Sequence, residues 1–238
     1  MRPAAHSTPM RTLLVPAPLV PGTMVLTGDE AHHGRTVLRL AVGDALRLAD
    51  GAGRAGEGAV VEVARDRLVV RLDTVAVLSA DPAALLTVVV AAPKGDRFTD
   101  LVRQLTELGV GAILPLQCER GERLPGLDRA QRVAAEALKQ CRRAFLPTIG
   151  PVVDFPTLAA LPGRRIVLDR EGQVANPGTP GPTVLIVGPE GGFTVDERQA
   201  LVTMPSSLVR LAGPVLRIET AALAAAAVWS AAWEGNRP

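Results

Sequence analysis

The sequence predicts two domains: a small strand-rich domain that suits a compact β-barrel, and a larger α/β domain with a largely parallel sheet and helices on both faces. Short valine-rich strands separated by turn residues fill residues 11–78, which is typical of small β domains. Beyond residue 81, strands and helices alternate as they do in a parallel sheet. A glycine-rich turn then joins a buried strand to a helix within residues 183–194. We therefore predict a loose leader at residues 1–10 and domains at residues 11–80 and 81–238.

The N-terminal domain is predicted to contain five strands and one short helix. The strands are expected at residues 12–15, 24–26, 45–49, 58–64 and 68–78. Asp50-Gly51 is a hairpin signal between two of these strands. Thr27 stands three residues before Glu30, which is the spacing of a capping box. This spacing predicts a helix that begins there and runs to Leu38.

The C-terminal domain is predicted from its alternation of strands and helices. Strands are expected at residues 85–91, 111–116, 164–169, 183–187 and 208–211, and helices at residues 97–108, 128–143, 195 onward and 218–234. Asp96 is placed to cap the first helix, and Gly109 is placed to end it. Residues 172–182 are rich in proline and glycine and are predicted as a loop, and residues 79–82 are predicted as the boundary between the domains.

The composition is that of a folded protein without a membrane span. Hydrophobic residues make up 47% of the 238 residues and charged residues 21%, which is ordinary for a globular chain. The longest apolar run, residues 221–233, is too short to cross a bilayer. Residues 1–10 have no apolar segment of the kind that a secretory signal requires. We therefore expect a cytoplasmic protein.

Neither a metal site nor a strongly basic arm is predicted. Cys118 and Cys141 form no C-x-x-C pair. The adjacent His32 and His33 would point in different directions on a helix, which is poor geometry for binding one metal ion. A net charge of +2 leaves no arm that would by itself indicate nucleic-acid binding.

Residues 188–193, with the sequence G-P-E-G-G-F, are the strongest candidate for a ligand site. They follow a buried strand and precede Thr194 and Glu197, which have capping-box spacing. Ligands of open α/β sheets bind at this end of the strands. The loop lacks the G-x-x-x-x-G-K-[ST] and G-x-G-x-x-G patterns, and Glu190 would repel a phosphate. A cationic or neutral ligand such as S-adenosylmethionine fits better, and the alternative is an ordinary strand-to-helix turn.

Five motifs in order give the chain a resemblance to a known family. They are H-x-x-x-V-L-R-L-x-x-G-D at residues 33–44, K-G-D-R at 94–97, T-E-L-G-V at 106–110, L-I-V-G-P-E-G-G-F at 185–193 and L-R-I-E-T-A-A at 216–222. With these motifs the chain resembles the RsmE-type 16S rRNA uridine-N3 methyltransferases of the SPOUT superfamily. The first motif is similar to the PUA-like RNA-binding domain of that family.

The resemblance implies a fold, a cofactor and a reaction. It implies a trefoil-knotted C-terminal domain that binds S-adenosylmethionine, works as a homodimer and methylates N3 of a uridine in 16S rRNA or the small ribosomal subunit. The residues that would bind the cofactor are Leu168, Val187, Gly188, Pro189, Glu190, Gly191, Gly192, Leu211, Gly213, Leu216 and Thr220.

Methylation of uridine N3 sets requirements for the catalytic residues. N3 belongs to a weakly acidic imide, so the reaction requires loss of a proton and stabilisation of the charge that spreads onto the flanking carbonyl oxygens. We assign the stabilisation of charge to Arg217, and the handling of the proton to Glu219 or Glu190. Glu219 has an alternative interpretation, as a partner of the positive end of a helix dipole.

Several basic residues are predicted to bind RNA. By resemblance, Lys94 and Arg97 contact the rRNA or the target base. Arg35 and Arg39 lie four apart on one predicted helical face, and a further basic segment contains Arg120, Arg123, Arg142 and Arg143. For each of them the alternative is a solvated surface position.

Departures from the family pattern keep two other functions open. Ala212 stands where the family commonly has glycine, Pro214 where it has arginine, and Gln104 where it has lysine. Residues 139–143 read K-Q-C-R-R in place of E-Q-C-G-R. A SPOUT methyltransferase that acts on tRNA or 23S rRNA, and a non-catalytic RNA-binding protein of the same fold, are therefore the alternatives.

Overall fold

The computed structural model describes residues 10–16, 18–79, 82–122 and 126–234. Residues 1–9 of the predicted leader and Arg123 lie outside the described residues. The chain divides into two compact units, Met1–Ser79 with Leu138–Phe145, and Ala80–Ala137 with Leu146–Pro238. Nothing in the sequence pattern indicated that residues 138–145 belong with the N-terminal unit. The boundary predicted near residue 80 stays a prediction, because residues 80 and 81 are not described.

The N-terminal unit is built on one five-stranded sheet. Its strands are β1 (Arg11–Leu14), β2 (Gly22–Thr27), β3 (Ala45–Ala49), β4 (Arg54–Val63) and β5 (Arg67–Val77), in the order β1-β3-β4-β5-β2. Only β1 and β3 pair in parallel among the described strands of this sheet. Alternate residues such as Leu46 and Leu48 are fully buried in its core, as the period of two requires. The predicted hairpin at Asp50-Gly51 is confirmed by the antiparallel pairing of β3 with β4.

The first helix differs from its prediction at its start. Helix α1 (Gly28–His32) continues into a π-helical turn, His33–Val37, but the Thr27 side chain makes no capping hydrogen bond. The carboxylate of Glu30 instead accepts hydrogen bonds from Lys139 Nζ at 3.0 Å and from the Leu14 backbone N–H at 3.2 Å. The capping box predicted here is therefore wrong, because a charged donor competes successfully for the carboxylate.

The second unit contains a six-stranded sheet, and its described strands all pair in parallel. Its strands are β6 (Leu86–Ala91), β7 (Ala112–Leu116), β8 (Thr148–Ile149), β9 (Arg164–Val174), β10 (Thr183–Val187) and β11 (Ser206–Arg210), in the order β11-β9-β10-β6-β7-β8. The helices are α2 (Arg97–Glu107), α3 (Leu127–Cys141), α4 (Phe155–Ala160), α5 (Val195–Thr203) and α6 (Ile218–Glu234), and only the last four residues of α3 belong to the N-terminal unit. The predicted α/β class is confirmed.

Helices cover both faces of this sheet, as predicted. Along β10, Leu185 and Val187 face one core together with residues of α2, α3 and α6. Val184 and Ile186 face a second core that contains residues of α4 and α5. A parallel strand buried on both faces reads as a continuous apolar run, which explains the T-V-L-I-V sequence of β10. The trefoil knot that the resemblance implies stays a prediction.

Two local predictions in this unit are wrong. Asp96 makes no capping hydrogen bond, and its carboxylate instead pairs with Arg129 at 2.5 Å. Strand β9 continues to Val174 and takes in the first residues of the predicted loop 172–182. Gly172 permits this, since a Cβ there would lie 2.4 Å from the backbone nitrogen of Val209 in the neighbouring strand.

Strand β8 and helix α4 were not predicted, although α4 carries a local signal. Asp154 accepts a hydrogen bond from the Thr157 backbone N–H at 2.9 Å, and a proline stands in the first turn. At the start of α5, by contrast, the predicted capping box of Thr194 and Glu197 is confirmed. None of the helices in the described part of the chain combines the length and hydrophobicity that a bilayer crossing requires.

Candidate functional site

A cavity of about 370 Å³ opens at the carboxyl ends of β10 and β11. Its walls are residues 168–171, in the middle of β9 just beyond its pairing with β10, and the two loops that follow β10 and β11. This volume falls within the range of small-molecule sites, about 300–1,000 Å³. The position is the one that ligands occupy in parallel sheets.

Most residues that were predicted to bind the cofactor meet in this cavity. Its lining includes Leu168, Val187, Gly188, Pro189, Glu190, Gly191, Gly192, Leu211 and Leu216. Gly213 and Thr220 are not among the described residues that line it. Both are exposed, and they lie beside lining residues rather than on the cavity wall.

The glycine loop, residues 188–193, has a backbone path that needs its glycines. Gly192 has a φ of +70°, which favours glycine, and its N–H donates to Pro189 O at 2.8 Å. A Cβ on Gly188 would lie 2.7 Å from the ring of Phe193. That ring packs edge-on against Phe155 with centroids 6.1 Å apart. The loop is thus shaped by close packing beneath it.

Residues after β7 hold the glycine loop from the side. Arg120 Nη1 donates to Gly191 O at 3.0 Å. The Glu119 backbone N–H donates to Glu197 Oε1 at 2.7 Å, while Glu197 Oε2 accepts from the Thr194 N–H at 2.8 Å. Arg120 was predicted to bind RNA, and here its guanidinium supports a cavity wall.

Asp169 is a cavity residue that the sequence analysis missed. Its side chain is only 13% exposed, and its carboxylate accepts from the Glu171 N–H at 2.9 Å and pairs with Arg198 at 3.4 Å. Asp169 was the last residue of a predicted strand, and that place at the carboxyl end could have marked it. With Glu171 and Glu190 it gives the lining three carboxylates, beside three arginines, Arg170, Arg198 and Arg210, so the cavity offers partners for both signs of charge.

A second cavity of about 560 Å³ adjoins the first. It is lined by Arg97, Glu190, Val215, Leu216 and Arg217, and three of these residues, Glu190, Val215 and Leu216, also line the first cavity. Two ligands bound in the two cavities would therefore both lie against Glu190 and the turn before α6.

Arg97 links the predicted catalytic carboxylates. Its Nη1 lies 3.2 Å from Glu219 Oε1 and 3.6 Å from Glu190 Oε1, and its Nε donates to Lys94 O at 3.3 Å. The structure thus brings Arg97, predicted as an RNA contact, into the same cluster as Glu190 and Glu219. Arg217 lines the second cavity with Arg97 and is exposed.

Glu219 is the member of this cluster that lines neither cavity among the described residues. Its side chain is 18% exposed, and its Oε2 is buried without a hydrogen-bond partner in the described chain. Glu190 is 57% exposed and lines both cavities. The two predicted candidates for handling the proton therefore occupy very different environments.

The remaining predicted RNA contacts divide between the units. Lys94 is exposed and pairs with Glu122 at 2.9 Å in the C-terminal unit. The N-terminal unit contains Arg35, Arg39, Arg142 and Arg143. The helical face predicted for Arg35 and Arg39 is wrong, because the helix ends before Arg39, whose φ is +52°. The unit also contains Arg47, which the sequence analysis missed and which donates to the carbonyl oxygen of Arg143 at 3.3 Å. Burial lowers the pKa of Arg47, Glu57 opposes this, and Arg142 lowers it further.

Cys118 is not suited to nucleophilic chemistry. Burial, with a contribution from Glu197, raises the pKa of its thiol to about 12, so the thiol stays protonated at neutral pH. Within the described residues, no group of three His, Cys, Asp or Glu side chains is placed to hold a metal ion.

Comparison with known proteins finds matches over most of the chain. Residues 81–230 match the RNA methyltransferase domain family, and residues 26–73 match the RNA methyltransferase PUA domain. Ribosomal RNA small subunit methyltransferase E of Mycobacterium bovis is 34% identical over 235 residues, with 89% of this chain and 88% of the relative covered. The Synechocystis protein of the same name is 31% identical, with 89% and 74% covered.

A solved structure agrees with these sequence relatives. The crystal structure of a ribosomal RNA small subunit methyltransferase E from Neisseria gonorrhoeae, bound to S-adenosyl methionine, superposes with a TM-score of 0.83 at 27% identity. The superposition covers 94% of this chain and 98% of the other.

Proposed function

This chain belongs to the RNA methyltransferase family that includes ribosomal RNA small subunit methyltransferase E, and from that premise we propose that it methylates N3 of a uridine in 16S ribosomal RNA with S-adenosylmethionine as the methyl donor. The observation that carries the proposal is the pair of adjoining cavities that share Glu190, Val215 and Leu216. A methyl transfer needs donor and acceptor side by side, and this arrangement supplies two sites in contact.

The lining of the first cavity fits S-adenosylmethionine. Leu168, Val187 and Leu211 provide apolar surface for an adenine, and the glycine loop brings backbone amides close to a ligand. Asp169, Glu171 and Glu190 supply negative charge for the sulfonium and ammonium groups of the ligand, and Arg170, Arg198 and Arg210 supply positive charge for its carboxylate. When bound, the cofactor supplies an electrophilic methyl group on sulfur, and the chain's own residues position the base and manage its proton.

The second cavity is the proposed place of the target uridine. Arg217 faces it and stabilises the charge that develops on the uracil carbonyl oxygens. One of the two carboxylates of the cluster, Glu190 or Glu219, handles the N3 proton. Gly213 and Thr220 stay in the proposal as neighbours of the cofactor site.

Basic residues of both units are proposed to contact the RNA backbone. Lys94, Arg97 and Arg120 lie near the cavities, and the N-terminal unit contributes Arg35, Arg39, Arg142 and Arg143. Phosphate contacts of this kind give affinity that falls with salt concentration, without reading sequence. Since the substrate is ribosomal RNA, we place the protein in the cytoplasm, and we propose that it works as a homodimer. Light scattering on the purified protein tests the homodimer.

Two measurements test the proposed function. Isothermal titration calorimetry should detect S-adenosylmethionine binding, and small ribosomal subunits from a strain that lacks the activity should acquire 3-methyluridine when incubated with protein and cofactor. Mass spectrometry of the digested RNA identifies the methylated base and the RNA molecule that contains it. No binding at millimolar cofactor would indicate a non-catalytic RNA-binding protein, and methylation of tRNA or 23S rRNA instead would overturn the substrate.

The control is a variant in which the cofactor wall is altered. Gly192→Val forces a β-branched side chain onto a backbone with φ of +70°, which only glycine adopts readily. We expect this variant to lose cofactor binding in the calorimeter and product in the mass spectrometer together.

A further inference from the structure

We propose that Glu190 is the catalytic residue that accepts the uracil N3 proton, and that Glu219 is a positioning residue that acts through Arg97. This assignment rests on the proposed function and divides two roles that the sequence left undivided. It also makes Arg97 a contact of the target base.

The first step of the argument is accessibility. A residue that removes a proton must come within hydrogen-bond reach of it. Glu190 is 57% exposed and lines both cavities, so its carboxylate stands between the proposed cofactor and the proposed base. Glu219 is 18% exposed and lines neither cavity within the described chain, so a base in the second cavity meets Arg97 before it meets Glu219.

The second step is the state of the Glu219 carboxylate. Its Oε1 lies 3.2 Å from Arg97 Nη1, and its Oε2 is buried without a hydrogen-bond partner among the described residues. A buried carboxylate with one unpaired oxygen is costly unless a positive charge adjoins it. Arg97 supplies that charge, and in return the carboxylate fixes where the guanidinium points. Glu219 thus behaves as a support for Arg97.

The third step is the fixed orientation of Arg97. Its Nε donates to Lys94 O at 3.3 Å while Nη1 faces both carboxylates, so two separate interactions restrain one planar group. Arg217 lines the same cavity, and no hydrogen bond or ion pair is recorded for its side chain in the part of the chain described. The cavity therefore presents two guanidinium groups with a carboxylate, Glu190, beside them.

This set of groups matches the imide edge of uracil. That edge offers an acceptor, a donor and an acceptor: O2, the N3–H and O4. Arginine donates only, and an ionised carboxylate accepts only, so two arginines and one carboxylate complement that order. Cytosine presents an unprotonated N3 and an amino group, and both would face groups of the wrong kind. The cluster thus selects uracil by leaving polar groups of cytosine unpaired.

The chemical step balances without any further reactant. The N3 proton passes to the Glu190 carboxylate, and the nitrogen lone pair forms the new bond to the methyl carbon. The carbon–sulfur bond breaks, and its electron pair remains on sulfur as a neutral thioether. Charge that develops on O2 and O4 before the bond forms is stabilised by Arg97 and Arg217. Glu190 then releases the proton to water.

The test compares Glu190→Gln with Glu219→Gln in single-turnover methylation of small ribosomal subunits. Both changes are isosteric and remove one charge. We expect Glu190→Gln to lower the rate about 100-fold or more, as for loss of a general base. Without the carboxylate, N3 must lose its proton to solvent first, so the residual rate should rise about tenfold per pH unit in alkaline buffer while that of the unchanged protein stays flat.

A double-mutant cycle tests the role of Glu219. We expect Glu219→Gln to lower the rate about 5-fold with an unchanged pH profile, and to have little further effect in an Arg97→Ala background. Because Arg97→Ala leaves a buried carboxylate unpaired, its folding is checked by thermal melting. The double variant Arg97→Ala/Glu219→Gln removes that unpaired charge and keeps the comparison possible.

The outcomes separate this inference from the proposed function. If the unchanged protein forms no 3-methyluridine, the proposed function fails and the assignment fails with it. If it forms the product but Glu190→Gln keeps its rate and its flat pH profile, only the assignment is overturned. An equal loss from Glu219→Gln with and without Arg97 would overturn the role of Glu219 as a support for Arg97, and a residual rate of Glu219→Gln that rises with pH would make Glu219 itself the proton acceptor.

Discussion

The two walls of the first cavity are built differently. The glycine loop, residues 188–193, is held by the Arg120 contact to Gly191 O, by the Glu197 carboxylate and by the packing of Phe193 on Phe155. The opposite wall, residues 211–216, makes no hydrogen bond that we find within the described chain, and Val215 is 74% exposed. One wall is thus formed before a ligand arrives. The other has few restraints and can adjust to a ligand, because mobile segments are those with few packed contacts.

The largest expected difference between the walls concerns their glycines. Gly188→Val places side-chain atoms where the Cβ alone would lie 2.7 Å from the Phe193 ring, so we expect a loss of about 3 kcal/mol in the free energy of unfolding and about 100-fold in methylation rate. In the opposite wall, the Cβ that Gly213→Ala adds has no neighbouring atom within 4 Å. This variant should therefore change neither the free energy of unfolding nor the methylation rate by a measurable amount. Urea denaturation and single-turnover methylation measure both. Equal effects at the two positions would show that the walls do not differ.

A smaller effect is expected when the support of the glycine loop is removed. Glu197→Ala leaves the backbone N–H groups of Glu119 and Thr194 without their acceptor, which should cost about 2 kcal/mol in the free energy of unfolding. Asp196→Ala, on the same helical turn but exposed, is the matched control, and it should lower the free energy of unfolding by only a few tenths of a kcal/mol. Urea denaturation of the two variants distinguishes them. A cost for Asp196→Ala as large as that for Glu197→Ala would contradict the role of the buried carboxylate.

Removal of the side contact should affect binding more than folding. Arg120→Ala frees Gly191 O, and we expect about a 5-fold weaker affinity for S-adenosylmethionine, the equivalent of one exposed charged hydrogen bond. Arg132→Ala, an exposed arginine on α3, controls for the lost charge. Calorimetry measures both, and unchanged affinity in Arg120→Ala would show that the loop holds its shape without this contact.

The smallest effect concerns Cys118, which precedes the residues that hold the glycine loop. Its thiol pKa is raised in the folded protein to about 12, while the unfolded thiol titrates near 9.0. The unfolded chain therefore loses this proton first, and the free energy of unfolding should fall as pH rises above 9. Cys118→Ser should reduce that fall. Urea denaturation between about pH 8 and about pH 10 checks it, and an identical pH dependence in both proteins would contradict a raised pKa.

The features that sequence reasoning predicted are local ones. The T-V-L-I-V run predicted β10, and the spacing of Thr194 and Glu197 predicted the start of α5, because each depends on neighbours a few residues away. The same spacing at Thr27 and Glu30 predicted a capping box that does not form. There a partner 109 residues distant, Lys139, takes the carboxylate, and no local pattern could show it.

The segments of the candidate site were predicted because they are local, but the contacts between them were not. The glycine loop and the turn before α6 were recognised as segments, yet the interaction between Arg97 and Glu219 joins residues 122 apart. Only the folded sheet places the start of α2 beside the start of α6. Asp169 escaped notice because a single acidic residue at a strand end is common, and its burial to 13% exposure depends on neighbours from other elements.

Residues 138–145, the second segment of the N-terminal unit, determine where the chain can be cut to give a folded fragment. Leu138 and Ala144 pack against Ala49 and Ala55, the Gly53 N–H donates to Ala144 O at 2.9 Å, and Lys139 pairs with Glu30. A fragment that stops at residue 79 would lack all of these partners and would expose apolar surface. The N-terminal unit therefore cannot be transferred to another enzyme as residues 1–79 alone, and a fusion protein must also include residues 138–145.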